Sequence, residues 1–545
     1  MVIEVPTFEF GQAIGIWLLI MLASAVVGLL VGLAAAWASY GFANGNRHVM
    51  ATLRRGFRDL FLLSPQRIGA LAILTFKESQ RRKAFGIFFL FVLLFMFGGW
   101  FLGGSDSDVP AKPYISFVLT SMNFLLILMA LLVACWGLPQ DIKARSLHTV
   151  VTKPVRRSEI VIGRMLGYVG VLTLVLVCTS VVGYFWILLK VPDRAQDQLI
   201  ARVPKYGTVE FRDRLGNPAD QGINVGDVWE YRSFIEGGTQ ARAIWTFENL
   251  DVASLRREDE LKFEQTFEAF RTFKGDVNQQ LRYSMTLINP ETGLRVPIGT
   301  YSVEEFSQDV EDAVIIVPRE LVFLDSYDVN AVEQEVDLYE DLIHDGELQV
   351  EVAAIDSQQY IGMSPFDLFI RMPDRTFLSS YSKACFGLWL MLVLVAVIGT
   401  TASCFLKGPV ATIFTASLIF VGFVFKTRLR ETLTEVAEKG SIQGGGVLES
   451  MYRLLTQDNL VVPMPDNIGT QIIKGIDRGI FELFRVVQAV IPDMQYFSTA
   501  AYPANGFDVS FYGALLPSIF ITIGYTIPMI ILGYFSLQLR ELESK

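Results

Sequence analysis

The sequence predicts an α-helical polytopic membrane protein, with about seven transmembrane helices and an inserted, mainly β, sandwich-like extracytoplasmic domain. Three observations carry that prediction. The 545 residues are 52% apolar and only 19% charged, with a mean hydropathy of +0.40, against about 45–50% and about 25% for soluble globular chains. Seven apolar stretches approach or exceed the roughly 20 residues needed to cross a bilayer core. One long polar block, residues 190–382, parts the fourth stretch from the fifth. This composition excludes a disordered chain, a collagen-like chain and a disulfide scaffold.

The stretches are Gly11–Tyr40, Ala84–Gly104, Ile115–Gly137, Met165–Leu189, Ala384–Leu406, Gly408–Phe425 and Val509–Leu537. None contains Asp, Glu, Lys, Arg or His, which argues against an ion-coupled carrier with an intramembrane charge relay. The first reads as an uncleaved anchor: it is preceded by Glu4 and Glu9 without Lys or Arg, and it is too long for a signal peptide. The sixth is the shortest and the least secure span.

Basic residues set the orientation, because they are retained on the cytoplasmic side. Arg47, Arg54, Arg55, Arg58, Arg67, Lys77, Arg81, Arg82 and Lys83 follow the first stretch, against only Asp59 and Glu78. Lys143, Arg145, Lys153, Arg156 and Arg157 follow the third, against Asp141 and Glu159. Both loops read as cytoplasmic, so the N-terminus falls outside and the C-terminus inside. Lys426, Arg428 and Arg430 then fall on the outer side, where Glu431, Glu435 and Glu438 can pair with them along a helix.

The block 190–382 carries 18 Lys and Arg against 36 Asp and Glu, so the chain's net charge of −10 originates there. It follows a span leaving the cytoplasm and should be extracytoplasmic. Leu261, Phe263, Phe267 and Ala269 alternate as one face of a strand, and Asn289–Gly293 is a turn between Ser284–Ile288 and Leu294–Tyr301. Ala313–Pro318, Glu347–Ile355 and Phe366–Met372 read as further strands, giving an antiparallel sandwich of immunoglobulin-like or jelly-roll order. Its acidic groups read as a solvated face. All four cysteines lie in apolar stretches, and the three histidines are too scattered for a metal site.

The most specific segment runs from Gly137 to Gly167. Gln140–Val151 is a candidate amphipathic helix that should stop before Pro154. Ser158 can cap the next helix, with Glu159 favourable in its first turn. Gly163 and Gly167, four apart, leave room for a close helix contact. These residues resemble the permease subunit of type-2 ATP-binding cassette exporters. The resemblance rests on Asp141, Lys153-Pro154-Val155, Arg157, Glu159-Ile160 and Gly163-Arg164…Gly167. It extends to Phe76-Lys77-Glu78…Arg81-Arg82-Lys83, similar to that family's amphipathic elbow, and to Ile491–Phe497 and Leu539-Arg540-Glu541. It covers about residues 70–190 and 384–545. The extra first span and the large insertion depart from the family and leave the substrate open.

The resemblance implies a coupling loop, 138–163, that docks on a cytoplasmic ATPase through Asp141, Arg145, Lys153, Pro154, Arg156, Arg157, Glu159 and Gly163. The elbow residues would be Lys77, Glu78, Arg81, Arg82 and Lys83. Expected partners are cytoplasmic ATPase subunits, a second permease copy or paralogue, membrane lipids and an envelope partner for the β domain; nucleic acid is not among them. The chain itself is expected to be no enzyme and to bind no cofactor, with ATP and Mg on the partner ATPase: no Gly-Lys dipeptide, and so no P-loop, occurs in it. The location implied is a bacterial cytoplasmic (inner) membrane.

The expected organisation is 1–83 (extra helix, basic segment and elbow), 84–189 (spans two to four), 190–382 (β domain), 383–426 (spans five and six), 427–508 (outer loop) and 509–545 (last span and cytoplasmic tail). In the outer loop, Asp466–Ile491 repeats apolar residues at helical spacing and reads as an amphipathic helix, lining the outer gate, at the membrane surface or against the outer domain. Asn123 reads as an interhelical hydrogen bonder rather than a substrate ligand. The alternative reading is a non-transporting membrane scaffold whose β domain binds an envelope partner.

Overall fold

A computed structural model of the chain describes residues 8–81, 86, 89–91, 93–94, 111–143, 155–219, 221–223, 232–271, 280–303, 314–324, 333–439, 446–457 and 467–543. Among them are ten helices of at least ten residues: α1 (Phe10–Tyr40), α2 (Phe42–Phe61), α3 (Pro65–Arg81), α4 (Ala111–Lys143), α5 (Arg157–Lys190), α6 (Phe377–Phe405), α7 (Gly408–Lys439), α8 (Val447–Thr456), α9 (Ile468–Val490) and α10 (Leu516–Glu543). Six of them, α1, α4, α5, α6, α7 and α10, are long and apolar enough to cross a membrane. Of the second apolar stretch, only 86, 89–91 and 93–94 are described, all helical.

Side-chain shape gathers these helices into one bundle. Met122, Leu126 and Met129 of α4, Val171 and Val175 of α5, and Met391 and Val395 of α6 share one core. Several polar groups of these helices find partners on neighbouring helices, whereas the buried Asn123 Oδ1, expected to bond between helices, has no hydrogen-bond partner among the described residues. Trp389 Nε1 donates to Thr173 Oγ1 at 2.8 Å, Trp136 Nε1 to Thr412 Oγ1 at 3.0 Å, and Thr401 Oγ1 to the Met529 carbonyl at 3.1 Å. α6 is the most enclosed helix and α1 the least. α1 touches α10 through Trp17, which donates to the Gly524 carbonyl at 2.8 Å, and through Phe10 against Phe520.

The sixth apolar stretch, short by its window, lies in a 32-residue helix. Lys426 of that helix donates to the Ile491 carbonyl at 2.6 Å. The side chains of Arg428, Arg430 and the three glutamates expected to pair with them lie outside the described residues. The amphipathic helix expected at Asp466–Ile491 forms as α9. It packs on α7 and α8, and Asp477 accepts the Leu448 and Glu449 amides at the start of α8, both at 2.9 Å.

Among the described residues, 200–376 form fifteen strands, and every strand pair is antiparallel. They are β1 (Ile200–Tyr206), β2 (Thr208–Arg212), β3 (Pro218–Ala219), β4 (Ser233–Glu236), β5 (Arg242–Phe247), β6 (Glu260–Gln265), β7 (Glu268–Arg271), β8 (Leu281–Ile288), β9 (Arg295–Val303), β10 (Val314–Pro318), β11 (Glu320–Leu324), β12 (Glu333–Asp337), β13 (Leu348–Ala354), β14 (Gln359–Met363) and β15 (Leu368–Thr376). A six-stranded sheet, β3-β2-β5-β13-β8-β9, packs over a four-stranded sheet, β1-β15-β6-β10, about one core; β4-β14-β7 and β11-β12 form smaller sheets. Phe247 meets Phe263 and Trp245 meets Phe267 across that core. The strand order is neither immunoglobulin-like nor jelly-roll. The face expected on one strand is shared by two: Leu261 and Phe263 sit on β6, Ala269 on β7, and Phe267 in the break between them, where Asp367 binds Thr266 and Arg232. All four still enter the same core. The Asn289–Gly293 turn closes β8–β9: Asn289 Oδ1 accepts the Glu291 and Thr292 amides, and Gly293 takes φ +70°.

The β region stands at one end of the bundle. β15 runs directly into α6, and α5 reaches β1 through a short 3₁₀ turn. The segment before α10 covers the open edge of β1: the Arg202 amide donates to the Gly506 carbonyl, and the Asp508 amide to the Arg202 carbonyl, both at 2.8 Å. The Arg202 guanidinium bonds the Asn505 carbonyl and Glu264, both at 2.6 Å, and lies over the Phe507 ring. The buried Asp508 carboxylate receives Lys383 of α6 at 2.7 Å and Arg375 of β15 at 2.9 Å. The start of α1 lies toward this end too, with Phe8 against Tyr496.

Candidate coupling site

The opposite end of the bundle holds the start of α5, and there the residues of the family-like motif meet α2, α3 and α10. α5 begins at Arg157, and Arg156 precedes it in extended conformation. The first turn of a helix leaves amides unpaired and favours a carboxylate. Glu159 supplies one, fully buried. Its Oε2 accepts the Arg156 amide at 3.0 Å, closing its own helix start. Its Oε1 accepts the Ser64 amide at 3.0 Å and Arg67 Nη2 at 2.8 Å. Ser64 and Arg67 open α3, whose first residue is Pro65, a position where the missing amide costs nothing. One carboxylate thus fastens two helix starts together.

α2 ends at the same place. The Ser158 hydroxyl donates to the Asp59 carbonyl at 2.5 Å, so it bonds a neighbouring helix and does not cap its own, as the sequence suggested. Arg156 Nη1 donates to the carbonyls of Leu62 and Arg58; the Arg58 carbonyl also accepts the Leu62 amide at the end of α2. Its Nε stands 3.7 Å from the Asp59 carboxylate. Asp59 also accepts the Tyr534 hydroxyl of α10 at 3.1 Å.

Beyond the joint, α3 runs parallel to α5. A Cβ at Gly163 would stand 2.6 Å from Leu71 Cβ, and one at Gly167 2.4 Å from Thr75 Cβ. Only glycine permits this approach. Phe91, on a described stretch of the second apolar window, reaches Gly183 at the same sequence offset. Within α3, the Gly163–Leu71 and Gly167–Thr75 contacts share one register, a turn apart. Arg164 Nη1 binds Glu78 at 2.7 Å.

The expected coupling residues Arg156, Arg157, Glu159 and Gly163 thus converge with the elbow residue Glu78 on one helix pair, with Arg157 half-buried at the first turn and Lys77 exposed on α3. Arg82, Lys83, Arg145, Lys153 and Pro154 lie outside the described residues, as do the side chains of Arg81 and Asp141. The amphipathic helix expected at Gln140–Val151 is not separate at its start: α4 continues through Pro139 to Lys143. Residues 144–151 lie outside the description.

Sequence reasoning passed over Asp59, Ser64, Arg67 and Tyr534 as members of this site. A signal existed for the first. Asp59 and Glu78 are the only acids between residues 41 and 83, and each meets an arginine of the motif. Among the described residues the site holds cations, carboxylates and backbone amides bonded to one another across three helices. The Glu159 carboxylate is wholly shielded from water while its Arg67 partner is 38% exposed, so the joint is held mainly by the buried carboxylate's bonds to two backbone amides. Among the described residues, no group of three or more His, Cys, Asp or Glu is placed to hold a metal. No protein-family model, curated protein or solved structure matches the chain.

Proposed function

We propose that this chain is the membrane-embedded permease subunit of an ATP-driven exporter of the type-2 ATP-binding cassette class. It pairs with a second permease copy or paralogue and with separate cytoplasmic ATPase subunits, which carry ATP and Mg. The six long apolar helices support the membrane placement. The buried Glu159 joint is the observation that carries the functional reading. It makes α3 and α5 one body where the loop 144–154 attaches, so a push on that loop would tilt both helices as a rigid pair. The orientation proposed puts the N-terminus and the β region outside a bacterial cytoplasmic membrane, and the motif and C-terminus inside. The β region would receive substrate or contact an envelope partner. Its clamp to α6 and α10 also fits the scaffold reading, in which partner binding outside is relayed inward.

Co-purification decides between the two. Solubilised in mild detergent, the exporter subunit brings down a P-loop ATPase; Arg157→Ala with Glu159→Gln weakens that capture and abolishes coupled ATP hydrolysis. Absence of any ATPase leaves the scaffold reading. For topology, Leu215→Cys, on an exposed turn, labels with an impermeant maleimide in intact cells, and Arg47→Cys only after permeabilisation. The reverse pattern inverts the map.

A further inference from the structure

We infer that α2 lies in the cytoplasmic surface of the bilayer and binds anionic lipid headgroups through Arg47, Arg54, Arg55 and Arg58. The inference rests on the membrane placement proposed above, but not on the exporter reading. At 3.6 residues per turn, α2 presents three faces. Phe42, Val49, Met50, Leu53, Phe57 and Phe61 make the first. Four of them, Phe42, Met50, Phe57 and Phe61, are at least two-thirds exposed. Gly45, Gly56 and Asp59 make the second, which meets the protein. A Cβ at Gly45 would stand 2.9 Å from the Ala36 carbonyl oxygen, and one at Gly56 3.2 Å from the Phe535 ring. The four arginines make the third, beside the apolar stripe on its far side from the protein, and exposed. Among the described residues none of the four is held in a salt bridge, and the only acid of α2, Asp59, is taken up by Tyr534 and Arg156.

The direction of α2 fits the same surface. It is bent 81° from α3, and α3 runs parallel to α5, so α2 lies across the end of the bundle. An apolar stripe against a cationic face is the pattern of helices that lie in a bilayer surface. α1 reaches α2 through Gly41, at φ +74°. Its last turn carries Trp37 and Tyr40, both exposed, the residue types that settle at headgroup level. The apolar stripe thereby continues the exposed apolar surface of α1, a surface suited to lipid tails. Four free cations beside it call for anionic headgroups rather than a zwitterionic surface.

The test uses the full chain reconstituted in vesicles of phosphatidylcholine with and without 30% phosphatidylglycerol. Alkaline carbonate extraction comes first. Release of the protein refutes the membrane placement and this inference with it; retention isolates the question of α2. Spin labels at Met50→Cys and Phe57→Cys, in a chain with the four native cysteines replaced by alanine, should be more accessible to oxygen than to a water-soluble nickel chelate. Arg55→Cys should show the opposite. Thermal stabilisation by added phosphatidylglycerol should require at least ten-fold more lipid in Arg54→Gln/Arg55→Gln/Arg58→Gln. Labels at 50 and 57 open to nickel overturn the surface placement. Labels shielded from both reagents mean that a protein covers the stripe, and overturn the lipid. An unchanged phosphatidylglycerol requirement overturns the cationic half.

Discussion

Replacing Glu159 by Gln should loosen two helix starts at once. The carboxylate accepts three bonds, from the Arg156 amide, the Ser64 amide and Arg67, while its side chain is wholly shielded from water. An amide keeps one oxygen and turns an NH2 toward a donor, so one backbone N–H loses its partner. A buried unsatisfied donor costs about 1–3 kcal/mol. The bond to Arg67 also loses its charge, but Arg67 is 38% exposed, so water replaces part of it and we count under 1 kcal/mol for that loss. The local cost is then about 2 kcal/mol, which corresponds to roughly 30-fold more frequent opening. Hydrogen exchange of the full chain in nanodiscs reads this directly. Peptides covering 60–68 and 155–162 should exchange roughly 30-fold faster in Glu159→Gln, while β13 stays unchanged. Arg67→Gln should accelerate the 60–68 peptide by under ten-fold, and the double variant should fall short of the product of the two. Exchange within three-fold of wild type in Glu159→Gln would show that the carboxylate does not hold the joint.

Gly167→Ala should push α3 away from α5, since its Cβ meets Thr75 at 2.4 Å; we expect a cost of about 1–3 kcal/mol and a lowered unfolding temperature in detergent, with Gly11→Ala, in open space, as the silent control. Asp508→Asn should free Lys383 and Arg375 from their shared carboxylate and expose 501–510 to protease, leaving the motif end unaltered. The β region should weaken in acid. Burial raises the affinity of Asp356 and Asp337 for protons, yet bonds from Arg282 and Arg319 outweigh it and hold both carboxyls below the usual range, and backbone amides do the same for Asp213. Carboxylates depressed by folding stabilise above their unfolded value of about 4 and lose that contribution as pH falls. Exchange in β8 and β13, corrected for intrinsic rates, should therefore accelerate below pH 4, and Asp356→Asn should flatten that dependence.

The helices were legible because their apolar runs are long and free of charge: α1, α4, α5 and α7 contain the stretch that announced them, and α6 and α10 most of theirs. The β hairpin at Asn289–Gly293 was legible because its turn residues bond locally. Strand order was not, since pairing β13 between β5 and β8 depends on contacts about sixty to a hundred residues apart. The break at Thr266–Phe267 was hidden because both strands keep their apolar residues in phase. At the motif end, Glu159 and Gly163 stood out by position, but their partners did not. Ser64 and Arg67 act through a main-chain amide and one arginine among nine basic residues, and nothing local marks which of these will meet a buried acid. The reach of α2 was missed for a related reason: its arginines were counted as topology signals, and the phenylalanines beside them only gain meaning once Gly45 and Gly56 define a third side.

α10 is rooted beside Asp508 and carries Tyr534 near its other end, where the hydroxyl grips Asp59. The crown of strands and the foot of α2 are therefore the two ends of one rod. The edge of β1 is bonded to Gly506 and Asp508, so a displacement of the strands reaches the start of that rod through the main chain. A search for ligands of the crown should accordingly watch the Tyr534–Asp59 contact, more than twenty residues down the helix, for the first response.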